Sequence, residues 1–235
     1  SSDTTNTGIS YSSKTGSQNA LLVTGGTSTI SNPTITKSGD SNGDNSNFYG
    51  TNAAVLVKEG TLNINDGNVN TNGSHANGIF AYRNGKINIS NTKIKTTSNN
   101  SGAIMVTGGG TLTANNVTAE TMGNSSAPIR SDRGGGTLTV NGGNYTSNGV
   151  GSPVIYSTAN ITVNNGTTVH DGASPNVAAS TNLVSQGYIL GVNNGRTLTN
   201  KGTITMNSST PALKTLVAVG TDGSATPTSS KAIND

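Results

Sequence analysis

The chain has 235 residues, of which 30% are hydrophobic and 3% aromatic, with no Trp, no Cys and a formal net charge of +3. So few large apolar groups do not offset the chain entropy of an ordinary globule of this length, and the lack of Cys excludes disulfides and zinc–thiolate sites. The 13 cations and 10 anions are spread without a basic run, which argues against nucleic-acid binding, and no apolar stretch approaches membrane-spanning length.

Disorder is the first rival for so polar a chain. Only 10% of residues are charged and β-branched pairs recur throughout, which weakens that reading. A fold whose core is a thin column, rebuilt turn after turn from short strands, needs few apolar residues per turn.

Residues 1–18 lack any repeating phrase and are expected to form a cap or lead-in. From Asn19 a small-apolar-apolar phrase recurs: NALLVTGG, NAAVLVKEG, ANGIFAYRNG, SGAIMVTGGG, SAPIRSDRGGG, SPVIYSTAN and GYILGVNNG. Its central residues are Leu21, Val55, Ile79, Ile104, Ile129, Ile155 and Ile189, at successive gaps of 34, 24, 25, 25, 26 and 34. A second short strand follows each of the later phrases: TLNIN at Thr61, KINIS at Lys86, TLTAN at Thr111, TLTVN at Thr137, NITVN at Asn160 and TLTN at Thr197. A third is expected around Val69, Ile94, Val117, Tyr145, Val169 and Ile204, with Gly-Gly, Asn-Gly and Asp-Gly turn signals between strands. Three short strands per turn of about 25 residues describe a three-sided parallel β-solenoid of about seven to eight turns. Each strand then pairs with its counterpart one turn away, about 4.8 Å distant, and like Asn or Thr side chains stack in ladders. Helices are not expected from a chain this rich in Gly, Asn, Ser and Thr. Residues 38–51 and 170–187 lengthen two repeats and are expected as loops. Residues 221–235 are expected as a tail or linker, which leaves residues 19–220 as the solenoid.

The stretch TGGGTLTANNVTAETMGNSSAPIRSDRGGGTLTVNGGNYTSNGVGSPVIYST resembles the repetitive regions of large bacterial surface adhesins and passenger domains. The likeness spans roughly residues 19–220 and lies in the style of the repeat. It implies an all-β, right-handed parallel β-helix, an extracellular place on the bacterial surface and a role in attachment. It carries over no functional residue.

Strand side chains alternate in and out. With Val55, Ile79, Ile104, Ile129 and Ile155 inward, the outward column reads Leu22, Leu56, Phe80, Met105, Arg130, Tyr156 and Leu190. The reverse register would bury Arg130 without a partner, which is costly. An exposed apolar stripe with aromatics and a planar cation has the makings of a recognition surface. The candidate ligand-binding residues are therefore Leu56, Phe80, Tyr82, Met105, Arg130, Asp132, Arg133 and Tyr156. The expected ligand is a host or environmental glycan or surface protein, bound by a monomer, with no cofactor, metal, nucleic acid or membrane insertion. Arg130→Ala is expected to weaken binding to an acidic glycan with little change in stability. The plain alternative is that residues 1–18 or 38–51 lie over the stripe and bury it.

Other chemistries fit less well. Glycosidic cleavage needs a carboxylate pair at a defined separation, whereas the ten acids are scattered, and Asp40, Glu59 and Asp66 approach one another only through loops. The DSNGDNSN stretch at Asp40 places Gly43 at position 4 and Thr51 at position 12, which fails the calcium-loop pattern. His75 and His170 lie about four turns apart. TGGGTLT and DRGGGTLT lack the Gly-Lys-Ser/Thr ending of a phosphate loop. Catalysis is not expected, and a polysaccharide-degrading enzyme on the same scaffold is the alternative. A passive stalk is a third reading. Ice binding through Thr-x-Thr ranks is a fourth, opposed by Lys86 in the middle of the rank.

Overall fold

The computed structural model describes residues 3–164, 166–171, 178–179, 183–185, 191–192, 197–200 and 231–234. Strands stack in parallel into a β-solenoid of about seven turns. The first turn holds β1 (Thr4–Thr7) and β2 (Ser10–Ser13); the next holds β3 (Leu21–Ser31) and β4 (Thr34–Lys37). The helix α1 (Gly43–Tyr49) precedes β5 (Val55–Asn65) and β6 (Asn68–Thr71). The middle turns hold β7 (Ile79–Tyr82), β8 (Lys86–Ser90), β9 (Lys93–Thr96), β10 (Ile104–Thr107), β11 (Gly110–Thr121), β12 (Ile129–Ser131) and β13 (Gly136–Ser147). Then come β14 (Ile155–Ser157), β15 (Asn160–Val163), β16 (Thr167–Asp171), β17 (Ala178–Ala179) and β18 (Leu183–Ser185). The described strands close with β19 (Gly191–Val192), β20 (Thr197–Asn200) and β21 (Lys231–Asn234).

The repeat register is the one the spacing predicts. Val55 pairs with Ile79, Ile79 with Ile104, Ile104 with Ile129 and Ile129 with Ile155. All five are fully buried. A second inward column runs Leu62, Ile87, Leu112, Leu138, Ile161. A third runs Val69, Ile94, Ala119, Tyr145, Val169. Val117, expected in that third column, is buried but pairs with Gly143; Ala119 holds the rung instead. The small Ala119 directly against the large Tyr145 keeps the column filled without overpacking.

Two corners explain the scattered Asn, Asp and Gly. At one, Asn32, Asp66, Asn91, Asn116, Gly142 and Gly166 all take positive φ, from 48° to 81°. At the other, Ser17, His75, Asn100, Ser125 and Gly151 do so. Only short polar residues and glycine visit this left-handed region readily, so each corner selects the same small set of residues on every turn. Because the first corner takes a single residue, the second and third strands of a turn often run on as one bent strand, as in β11 and β13.

Serines form a buried ladder that the apolar pattern does not announce. Ser101 Oγ accepts from Ala76 N at 3.0 Å, Ser126 Oγ from Ser101 N at 2.9 Å and Ser152 Oγ from Ser126 N at 2.9 Å. Asn ladders run outside: Asn88 donates to Asn63 at 2.9 Å, Asn141 to Asn115 at 2.8 Å and Asn164 to Asn141 at 2.6 Å.

Four expectations change. The described part of the N-terminal stretch, expected as a cap or lead-in, joins the stack as strands: β1 pairs with β3 and β2 with β4. Residues 38–51 contain the helix α1, against the expectation of no helix. Within 170–187, β17 and β18 continue the columns, with Tyr156 against Ala178 and Ile161 against Leu183. Ala178 then pairs with Gly191, so the step expected from Ile155 to Ile189 is divided by an additional rung. The tail contributes β21, which pairs with β20. Ile189, Leu190 and Ile204 lie outside the described residues.

Candidate functional site

The outward column of the first strands has the predicted register: Leu56 pairs with Phe80, Phe80 with Met105, Met105 with Arg130 and Arg130 with Tyr156. Leu56, Phe80 and Met105 face away from the main core and form a second apolar cluster with Ala53, bordered by Tyr82. The expectation that this column is exposed fails for all three, each of which is 0% accessible. The cover is the lengthened segment, folded as α1. Gly50, which caps the end of α1, turns with φ +70°, and an added Cβ there would sit 2.8 Å from both Leu56 Cδ1 and Phe80 Cγ.

A seven-residue helix is marginal alone, so α1 depends on what it touches. Gly50 N–H donates back to the Asn45 carbonyl and closes its end. Thr107 Oγ1 donates to the Phe48 carbonyl at 2.6 Å. Asn77 Nδ2 donates to the Ser46 carbonyl at 3.4 Å. Tyr49 packs against Tyr82 with ring centroids 5.4 Å apart. Arg133 donates to Asp44 at 2.6 Å and lies 3.8 Å above the Phe48 ring. The Asp44 hydrogen bond raises the Arg133 pKa further above its ordinary value. His75 Nδ1 donates to Asn47 Oδ1 at 2.6 Å while Nε2 accepts from Asn100 at 3.4 Å, which suits the neutral ring. Burial, and then the charge of Arg130, lower the His75 pKa below 6.5.

The predicted residues therefore divide. Leu56 and Phe80 lie against Gly50 at the end of α1, Met105 is buried in the same cluster, and Tyr82 borders them, half-buried. Arg133 clamps α1. Arg130 donates to Asp132 at 2.7 and 3.2 Å, both side chains being 14% accessible, and its guanidinium lies 5.8 Å from the Tyr156 ring. Asp132 also accepts from Arg133 N at 2.9 Å. The Arg130–Asp132–Arg133 cluster is thus an internal network beside α1, with its charges already answered. Asp44, Phe48, Asn47, Asn77 and Thr107 were missed, because their roles depend on where α1 lands. The only sequence signal was the length of the 38–51 insertion.

The remaining faces are polar. The second strands carry an outward rank of Thr61, Lys86, Thr111, Thr137 and Asn160, beside another of Asn63, Asn88, Thr113, Thr139 and Thr162. Lys86 is exposed in the middle of the first rank. At the corner beside it a groove of about 430 Å³ is lined by Gly60, Thr61, Arg83, Asn84, Lys86, Gly109 and Thr111. Among the described residues, large exposed hydrophobics are scattered: Ile9, Leu22, Tyr49, Met122 and Val150.

Most described acids have structural partners. Asp3 accepts from Thr27 N, Asp40 from Ser74 N, Glu59 from Asn84 and Glu120 from Lys95 and Asn148. Among the described residues no three His, Asp or Glu come together in a way that holds a metal ion, and no helix is long and apolar enough to cross a membrane.

Fold and faces together define a parallel β-solenoid repeat protein. No protein-family model matches the chain, and no curated protein or solved structure matches it.

Proposed function

We propose that this solenoid is an attachment region of a bacterial surface protein, which engages a glycan or surface protein non-covalently through its polar faces. The observation that carries the reading is the division of the outer surface. The apolar stripe is sealed by the protein's own helix, while the second strands present Thr, Asn and Lys in ranks that repeat every turn. Such ranks set polar side chains in register at a constant spacing of about 4.8 Å. Individually weak contacts then add along the axis and across many copies on one cell. The reading also rests on the likeness in repeat style to bacterial adhesins, a likeness that implies an extracellular place for the chain.

Binding without catalysis is favoured because the acids with described partners accept from groups that hold turns, strands and α1 in place. Polysaccharide cleavage on the same scaffold remains the alternative. An ice-binding role is disfavoured by the exposed cation at Lys86, which interrupts the Thr rank. A passive stalk is the second reading, and the scatter of exposed apolar residues favours it. Beads coated with the purified chain, flowed over mucin- or polysaccharide-coated glass, separate the two. Retention above that of bare beads supports attachment by this region. Retention equal to bare beads leaves it a spacer.

A further inference from the structure

We infer that the groove between Arg83 and Lys86 is a binding site for an acidic saccharide unit, one bearing a carboxylate or a sulfate ester. The inference rests on the attachment reading and gives it a place and a ligand class. The groove owes part of its space to Gly109. Gly60 and Gly109 line it without side chains, and the turn above Arg83–Asn84 is Gly108–Gly109. Gly109 N bonds to the Gly135 carbonyl at 3.0 Å, so the following turn is glycine at the same corner. An added Cβ at Gly109 would meet only the Arg83 carbonyl, 3.8 Å away. A volume of about 430 Å³ lies in the range of small-ligand clefts, about 300–1,000 Å³.

Its chemistry points to an anion carried on a polyol. Arg83 is exposed at a left-handed corner, φ 55°, and its guanidinium lies 5.1 Å from the Tyr82 ring, which holds the planar fork. Lys86 is exposed on the next strand. Among the described residues neither forms an ion pair, unlike Arg130, Arg133 and Lys95. Glu59 accepts from Asn84, which lines the groove, at 3.3 Å. Arg83 offers the bidentate geometry that matches a planar oxyanion and Lys86 a second point charge. Thr61, Thr111 and Asn84 add neutral donors and acceptors for ring hydroxyls. Two cations at one corner are too few for the phosphate contacts of a nucleic acid, and no aromatic lines the groove to stack a base.

The test is binding of the full chain to immobilised polygalacturonate, dextran sulfate and neutral dextran, with Arg83→Ala, Lys86→Ala and, on another face, Lys93→Ala. All three are exposed, so thermal midpoints should stay at the wild-type value and losses of binding report contacts. The expected result is binding to one or both acidic polymers and not to dextran. Arg83→Ala and Lys86→Ala should each weaken it about tenfold or more, while Lys93→Ala leaves it unchanged. Preference for polygalacturonate identifies the carboxylate, and preference for dextran sulfate identifies the sulfate. Equal binding by wild type and Arg83→Ala overturns the site. Equal binding to dextran overturns the ligand class but keeps attachment. No binding to any of the three, with beads still retained on mucin, also refutes the inference alone; no retention on any surface refutes both.

Discussion

Phe80→Ala tests whether α1 seals the outward column. Phe80 is fully buried between Leu56 and Met105, and its Cγ lies 2.8 Å from the Cβ position of Gly50. Truncating a buried Phe costs about 3–5 kcal/mol, the sum of lost transfer energy and the cavity left behind. For a chain of this size each kcal/mol moves the thermal midpoint by about 2–4 °C, so the drop should be roughly 6–20 °C. On an exposed stripe the same change would stay within about 0.5 kcal/mol. Circular dichroism melts give the midpoint. Hydrogen exchange locates the loss, because solenoid stability is a sum of local units and their interfaces. Exchange should quicken first in α1, β7 and β10. A midpoint within about 2 °C of wild type, with unchanged exchange in α1, would refute the covered arrangement.

Three further outcomes follow from individual residues. Arg130→Ala leaves the 14%-accessible Asp132 carboxylate without its main partner and should cost about 1–3 kcal/mol in a denaturant titration; an unchanged midpoint would return Arg130 to the role of a free surface cation. Tyr145→Phe removes a buried hydroxyl that has no hydrogen-bond partner in the structure, so stability should hold or rise, and a loss above about 1 kcal/mol in the same titration would contradict that. His75 should make stability depend on pH. Its folded-state pKa is lowered from 6.5 by burial and then by Arg130, so the unfolded chain takes up the proton first as pH falls. The contribution is complete above about pH 6.5 and is lost as pH drops through the folded-state pKa. Melts of wild type and His75→Asn between pH 7.5 and about 5 should converge toward acid, and parallel curves would contradict the linkage.

The solenoid was readable in the sequence because one constraint recurs on every turn. Ile79, Ile104, Ile129 and Ile155 each fill the same slot, and corners such as Asn91 and Asn116 each need the same left-handed residue. The inward and outward registers followed from one residue, Arg130, which the core would not accept. What was not readable was the fate of the outward column. Whether Phe80 meets solvent depends on α1, a single insertion without a repeat to average over. Its contacts reach across long stretches of chain, as from Thr107 to Phe48 and from Arg133 to Asp44. Lys37 shows the same limit. It occupies the inward column of Thr71 and Thr96, and is buried by donating to the Thr15 and Gly39 carbonyls at 3.0 and 2.7 Å. Among the described residues that solution exists at one rung only. The basic groove was missed because it is made by an absence, the glycines that stand above Arg83.

A glycan-array screen of the purified chain beside Arg83→Ala tests the central claim most directly. Attachment through the polar face predicts a defined set of bound glycans, acidic members foremost, that fades in the variant. An array that stays empty for the wild type, with the chain folded by circular dichroism, would contradict it and leave the solenoid as a stalk.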